Sequence, residues 1–189
     1  SWRIVQFWWN LFTWIDFNGA NITSIPKNAF NSMKTLEWTL IIPNTIMSIW
    51  DDAFNGAFNT GVLSSLVFEE WSPLTTLWAR SFRNNDLNWV LKIPSNFTGL
   101  SDWFYWNPFT WIDLTEATSL TTIAANAFWN WNFEKHTMEW TLFIPKSVTY
   151  IWNWAFYWAF SGDTENYLVF ESGSQLTTIW SQAFQYNNR

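Results

Sequence analysis

The chain has no cysteine, one histidine and only 6 glycines among 189 residues. Without cysteine it can form neither a disulfide bond nor a thiolate metal site. The lone histidine, His136, lies in a polar stretch with Glu134 and Lys135, and no nucleophile pattern accompanies it. One histidine cannot hold a metal ion without carboxylate partners. We therefore interpret His136 as a solvated loop residue.

Positive charge is also scarce, because 9 Lys and Arg face 15 Asp and Glu, which gives a net charge of −6. Nucleic acids select basic surfaces, so this balance argues against a nucleic-acid partner. No apolar run reaches the roughly 18–20 residues that a membrane span needs. The chain opens with Ser-Trp-Arg and shows no signal peptide. It is therefore interpreted as a fragment of a longer chain.

Nothing in the sequence forms a catalytic constellation. The acidic pairs Asp51–Asp52 and Glu69–Glu70 are adjacent in sequence, so we expect turn or surface residues and not an acid–base couple. Glycine-rich phosphate loops and the calcium-binding glycine–aspartate nonapeptide are both missing. We therefore expect no catalytic, cofactor-binding or metal-binding residue, and a protein that is not an enzyme.

What the chain does contain is repetition. A nine-residue phrase recurs six times, with a degenerate copy near residues 97–105, and a short alternating strand precedes each copy. The units follow one another at roughly 21–30 residues, a spacing typical of stacked repeats. The phrases read ITSIPKNAF at 22–30, IMSIWDDAF at 46–54, LTTLWARSF at 74–82, LTTIAANAF at 120–128, VTYIWNWAF at 148–156 and LTTIWSQAF at 176–184.

A longer period is superimposed on the short one. Nearly half of the positions in residues 37–85 are identical to those 102 positions further on, in residues 139–187. The segment 7–17 likewise resembles 104–114. No linker or charge block divides the copies. We therefore predict one continuous solenoid of about seven coils over residues 1–189.

The spacing within a unit predicts the core. Side chains alternate along a strand, and the phrase places apolar residues at offsets 0, 3, 7 and 8, which suits an extended turn followed by about one turn of helix. We expect a buried phenylalanine ladder packed against the inward strand residues. Its predicted rings are Phe30, Phe54, Phe82, Phe128, Phe156 and Phe184, and the strand residues are Leu40, Ile42, Leu66, Phe68, Leu142, Ile144, Leu168 and Phe170.

The unit resembles the BspA-type leucine-rich repeats of bacterial surface proteins, whose pattern is approximately L-x-x-I-x-I-P-x-x-V-x-x-I-G-x-x-A-F. Residues 142–156, LFIPKSVTYIWNWAF, follow this pattern closely. The resemblance implies an α/β leucine-rich-repeat solenoid with short parallel strands on a concave sheet and short helices or turns behind it. It also implies a cell-surface or secreted protein that functions in adhesion or protein binding.

The tryptophans depart from that pattern, because the chain has 19 of them and Trp50, Trp78, Trp152 and Trp180 stand where the family has glycine. Across the 102-residue shift, Gly56 aligns with Trp158 and Trp71 aligns with Gly173. We hypothesise that most tryptophans stand for glycine, for example through UGA codons. The alternative is a truly tryptophan-rich protein. We expect most tryptophans at turns, partly exposed, and left-handed or strained backbone at several, with those four the first to examine.

Two functions are compatible with this sequence. The first is a non-catalytic module that binds a protein partner of the host or of the bacterial surface; the second is a carbohydrate-binding module that uses exposed aromatic rings. For the first, alternation predicts an outward row of one residue per coil. The alternative for this row is that its apolar residues only favour packing between neighbouring strands. The row comprises Asp16, Ile41, Val67, Lys92, Asp113, Phe143 and Val169.

Overall fold

The protein is described from a computed structural model, which covers residues 12–62, 64–130, 141–160 and 167–187. Within these residues the chain forms short strands and a single 3-10 turn, η1, at Asp102–Phe104. The strands are β1 Ser24–Ile25, β2 Thr39–Ile42, β3 Ser48–Ile49, β4 Ser65–Phe68, β5 Val90–Lys92, β6 Gly99–Leu100, β7 Trp111–Asp113, β8 Thr122–Ile123, β9 Thr141–Ile144, β10 Tyr150–Ile151, β11 Tyr167–Phe170 and β12 Thr178–Ile179.

The strands form two rows along a parallel solenoid. The front row consists of the longer strands β2, β4, β5, β7, β9 and β11, and the back row of the two-residue strands β1, β3, β6, β8, β10 and β12. Every paired strand is parallel to its partner. Most coils supply one strand to each row, but residues 15–17 form no front strand and the coil that contains β4 has no back-row strand.

The number of coils and the helix content differ from the prediction. The solenoid makes about five turns, since the six front-row strands enclose five steps, against the seven coils expected. The predicted strand at 15–17 is not a strand in the structure. The expected short helices are absent from the described residues apart from η1, and turns stand in their place. Left-handed residues on both sides of the ladder phenylalanine, such as Asn28 and Ser32, prevent a right-handed helix there.

The phenylalanine ladder is confirmed. Phe54, Phe82, Phe128 and Phe156 are at most 2% exposed, whereas the terminal rings Phe30 and Phe184 are half-buried. The rings of Phe54 and Phe82 stack at 5.1 Å between centroids, and those of Phe156 and Phe184 do the same. The degenerate copy supplies a further ring, Phe104, which stacks between Phe82 and Phe128. The ladder is therefore continuous.

The front strands bury their inward side chains as predicted, except in the last coil. Leu40, Ile42, Leu66, Leu142 and Ile144 are buried, and Phe68 is half-buried. The prediction is wrong for Leu168 and Phe170, which are 42% and 38% exposed. Both belong to β11, which pairs with β9 on one side and has no second partner strand among the described residues.

Two asparagines, one buried and one half-buried, join neighbouring coils just after the ladder. The Nδ2 of Asn85 donates hydrogen bonds to the carbonyls of Phe54 and Phe82 at 3.0 and 2.8 Å. Its Oδ1 accepts from the backbone N–H of Phe58 at 2.8 Å. Asn187 makes equivalent bonds to Phe156 and Phe184. These side chains satisfy polar backbone groups that would otherwise be buried without a partner.

Most tryptophans lie at the surface, as expected. Of the 14 described, 11 are exposed, two are half-buried and one, Trp103, is buried at 5% exposure. Trp103 is the exception to the expected exposure of the tryptophans. The degenerate unit is one residue short, so Trp103 occupies the place of the small alanine and contacts the rings of Phe97 and Phe104.

Five tryptophans have a left-handed backbone, as expected for several of them. The four chosen for examination, Trp50, Trp78, Trp152 and Trp180, are not among the five, because all four lack positive φ. The left-handed ones are Trp38, Trp71, Trp106, Trp154 and Trp158, with φ between 52° and 74°. Such values are rare for a bulky side chain. Trp2, Trp8, Trp9, Trp131 and Trp140 lie outside the described residues.

Candidate binding face

The front-row strands carry six of the seven residues that alternation selects, and the seventh, Asp16, precedes the first front strand. In β2 the exposure alternates, so Thr39 and Ile41 face out while Leu40 and Ile42 face the core. Asp16, Ile41, Val67, Lys92 and Val169 are exposed, whereas Asp113 and Phe143 are half-buried. Three register pairs bring members of this row together: Ile41 with Val67, Lys92 with Asp113, and Phe143 with Val169.

A second outward column runs beside this row and was missed in the sequence. It lies two residues earlier in each strand, so the same alternation could have predicted it. Val90 and Trp111 are paired in register and are 43% and 36% exposed. Elsewhere the column is polar, and the hydroxyls of Thr39 and Ser65 share a hydrogen bond of 2.7 Å. Its members are Thr39, Ser65, Val90, Trp111, Thr141 and Tyr167.

The centre of the face is charged. Lys92 Nζ lies 2.8 Å from Glu116 Oε1, in an ion pair whose two side chains are both more than half exposed. The hydrogen bond to Glu116 raises the pKa of Lys92, and the nearby charges of Asp113 and Glu70 raise it further. Asp113 itself accepts hydrogen bonds from the backbone and hydroxyl of Thr115. One carboxylate therefore contacts the ammonium group, and two further carboxylates act on it without a direct contact.

Carboxylates also line the edge where the front strands end. Glu69 Oε2 accepts the backbone N–H of Asn44 at 3.0 Å, and Glu171 Oε2 accepts that of Lys146 at 2.8 Å. These bonds hold each turn to the next coil and leave the negative charge at the surface. Lys146 partly offsets it, with Nζ 3.9 Å from Glu171 Oε1. The outward face is thus bordered by excess negative charge.

Elsewhere, polar groups have structural contacts. Asp52 lies in a turn, as expected, but is only 8% exposed, and the guanidinium of Arg80 donates two hydrogen bonds to its carboxylate, at 2.9 and 2.8 Å. That hydrogen bonding lowers the pKa of Asp52. In the described part of the chain, no group of three or more His, Cys, Asp or Glu could hold a metal ion. His136 lies outside the described residues.

Two pairs of exposed indoles stack on neighbouring coils after the back row. Trp50 and Trp78 lie 4.7 Å apart between ring centroids with planes inclined by 12°. Trp152 and Trp180 lie 5.0 Å apart with planes inclined by 3°. All four are between 38% and 46% exposed. Each pair offers an aromatic surface in a place distinct from the front face.

The family model for the BspA type leucine rich repeat region matches residues 6–134 in six copies. This match covers more than half of the chain and agrees with the parallel solenoid. The chain belongs to this family. BspA-type repeats form scaffolds that are generally non-catalytic and suggest protein binding, and the family is associated with bacterial surface proteins.

No curated protein and no solved structure matches the chain. Among the described residues, no helix has the length and apolar character needed to cross a membrane.

Proposed function

We propose that this BspA-type solenoid is a non-catalytic, protein-binding adhesion module of a bacterial surface or secreted protein. One observation carries the proposal: the outward row exposes apolar side chains in register. Ile41, Val67 and Val169 are 42%, 44% and 40% exposed, so they present apolar surface that a partner can bury. The competing interpretation is that these residues only pack against their neighbours across the sheet.

The experiment changes Ile41, Val67, Phe143 and Val169 together to Thr, which keeps β-propensity while removing apolar surface. The control changes three exposed apolar residues outside the row, Met47, Val62 and Ile179, to Thr. We expect pull-down of a partner from cell-surface extracts to be lost with the first variant and kept with the control. Retention by both, with the fold intact by circular dichroism, would place the site at the coil edges instead.

A second candidate function is carbohydrate binding, favoured by the two stacked indole pairs. Sugars pack against exposed aromatic rings, and the four indoles are each between 38% and 46% exposed. Changing Trp50 and Trp78 to Ala tests it on a glycan array. We expect glycan binding to disappear in this variant and to persist in the front-row variant if the candidate holds. If the unchanged protein binds no glycan on the array, the carbohydrate-binding function is rejected.

We further propose that the left-handed tryptophans stand where the organism's own protein has glycine. Support comes from the two aligned pairs: Gly56 and Trp158 have φ of 64° and 52°, and Trp71 and Gly173 have φ of 62° and 78°. Glycine adopts this conformation without steric cost, whereas other residues are strained. UGA codons that the host reads as glycine would account for the exchange. UGG at most of the 19 positions would reject it.

A further inference from the structure

We propose that the partner of the front face is a protein segment that places basic side chains between two apolar clusters. The inference rests on the proposed protein-binding function and specifies the partner's chemistry. Its first support is the order of residues along the outward row. Two apolar register pairs, Ile41 with Val67 and Phe143 with Val169, flank one charged pair, Lys92 with Asp113.

The negative charge of the central region determines that the partner segment must be positively charged there. Lys92 is already held by Glu116 at 2.8 Å, and Asp113 and Glu70 lie close enough to raise the pKa of the lysine further. One cation is therefore set against three carboxylates. Glu69 and Glu171 follow the strands of the apolar pairs, where their carboxylates accept backbone hydrogen bonds at the strand-end edge, so they border the face and do not add to its centre. An acidic partner would meet like charge here, whereas a basic one would be attracted and correctly oriented.

The spacing of the solenoid fixes the pattern that the partner must match. Neighbouring parallel strands lie about 4.8 Å apart, so each apolar pair is about 10 Å from the charged pair along the row. The apolar pairs supply affinity through burial of exposed surface, and the carboxylates supply register. A partner of the same composition with its charges at the ends would place apolar side chains against the central carboxylates and cations against the apolar pairs. It would therefore lose both the affinity and the alignment.

The test uses three synthetic peptides of equal length, measured by fluorescence anisotropy with the full chain. The first places Lys and Arg between two Val-Leu clusters; the second has the same composition with the cations at both ends; the third replaces the cations of the first by Glu. We expect the first to bind about tenfold more tightly than the other two, with affinity falling as salt rises. Equal binding of the first two overturns the proposal.

Matched charge variants separate local recognition from the overall charge. Glu70→Gln with Asp113→Asn removes two charges at the face, and Asp51→Asn with Asp102→Asn removes two elsewhere. We expect only the first pair to weaken binding of the first peptide, by about tenfold. Equal weakening by both pairs means nonspecific attraction and overturns the proposal. Binding that is lost with the four Thr changes but unaffected by Glu70→Gln with Asp113→Asn rejects a basic partner while leaving the proposed function standing.

Discussion

Two blocks of this solenoid, residues 40–85 and 142–187, share one architecture but differ at their surfaces. Their ladder rings stack at the same 5.1 Å separation and 6° inclination. Their equivalent asparagines, Asn85 and Asn187, donate hydrogen bonds to equivalent carbonyls. The left-handed positions, by contrast, hold different residues: Asp52 in one block corresponds to Trp154 in the other. Core positions thus repeat in both sequence and geometry, whereas the left-handed turns repeat in geometry alone.

The backbone explains why those turns keep their shape despite different residues. The N–H of Gly56 donates to the carbonyl of Arg83 at 2.9 Å, and that of Trp158 donates to Gln185 at 3.1 Å. Each bond links one coil to the next, so stacking imposes the left-handed conformation on whatever residue is present. The residue then determines only how much strain the turn carries.

The largest expected effect is a loss of unfolding free energy, which tests the difference in burial between the ladder rings of the two blocks. Phe82→Ala removes a fully buried ring that stacks on both sides, so we expect a loss of about 3–5 kcal/mol in unfolding free energy. Phe184→Ala removes a half-buried ring from the last coil, and its cost is expected to be less than half of that. Urea unfolding monitored by circular dichroism measures both. Equal losses would show that the last coil is covered as fully as the interior.

The second effect concerns a polar contact that differs between the blocks. Asp52 and Arg80 form a two-bonded ion pair, whereas their counterparts Trp154 and Gln182 share one hydrogen bond of 2.7 Å. Arg80→Gln is expected to cost about 1 kcal/mol, since partial exposure of the guanidinium lets water screen the pair. Gln182→Ala, which removes the neutral contact, is its pH-independent control.

The ion pair also predicts a pH dependence for the first block alone. The pKa of Asp52 is lowered in the folded state, so the folded state holds its proton less tightly than the unfolded chain. Its contribution is therefore complete above the ordinary aspartate pKa of about 4 and is lost as the pH falls through the lowered value. Urea midpoints of the parent and Arg80→Gln should converge below that pH. A constant difference down to the acid limit would contradict the assignment.

Sequence spacing predicted the ladder and most of the front strands because these features depend on where apolar residues recur. It did not predict Phe104 as a ladder ring, because the degenerate unit is one residue short. It also singled out for examination four tryptophans, including Trp50, that lack the left-handed backbone. The conformation is set by hydrogen bonds between coils, and a single unit of sequence contains no information about these. What binds the outward row stays a prediction.

The last expected effect, similar in size to that of Arg80→Gln, tests the glycine positions through a reciprocal exchange. Trp71 is 89% exposed with φ of 62°, so Trp71→Gly relieves strain with almost no loss of packing. Its counterpart Gly173 has φ of 78° and no atom within 4 Å of an added Cβ, so Gly173→Trp adds backbone strain without a clash at Cβ. We expect the first change to stabilise the fold by about 1 kcal/mol and the second to destabilise it by a similar amount.

The control for this exchange is Trp89→Gly, at an exposed tryptophan without positive φ. Glycine there only adds freedom to the unfolded chain, so we expect a loss of about 0.5–1 kcal/mol. Opposite signs at Trp71 and Trp89, measured by urea unfolding, would separate relief of strain from a general effect of removing indoles. If Trp71→Gly destabilises the protein as Trp89→Gly does, a left-handed backbone alone gives no reason to place glycine at Trp71, and the proposed exchange would then rest on the codons.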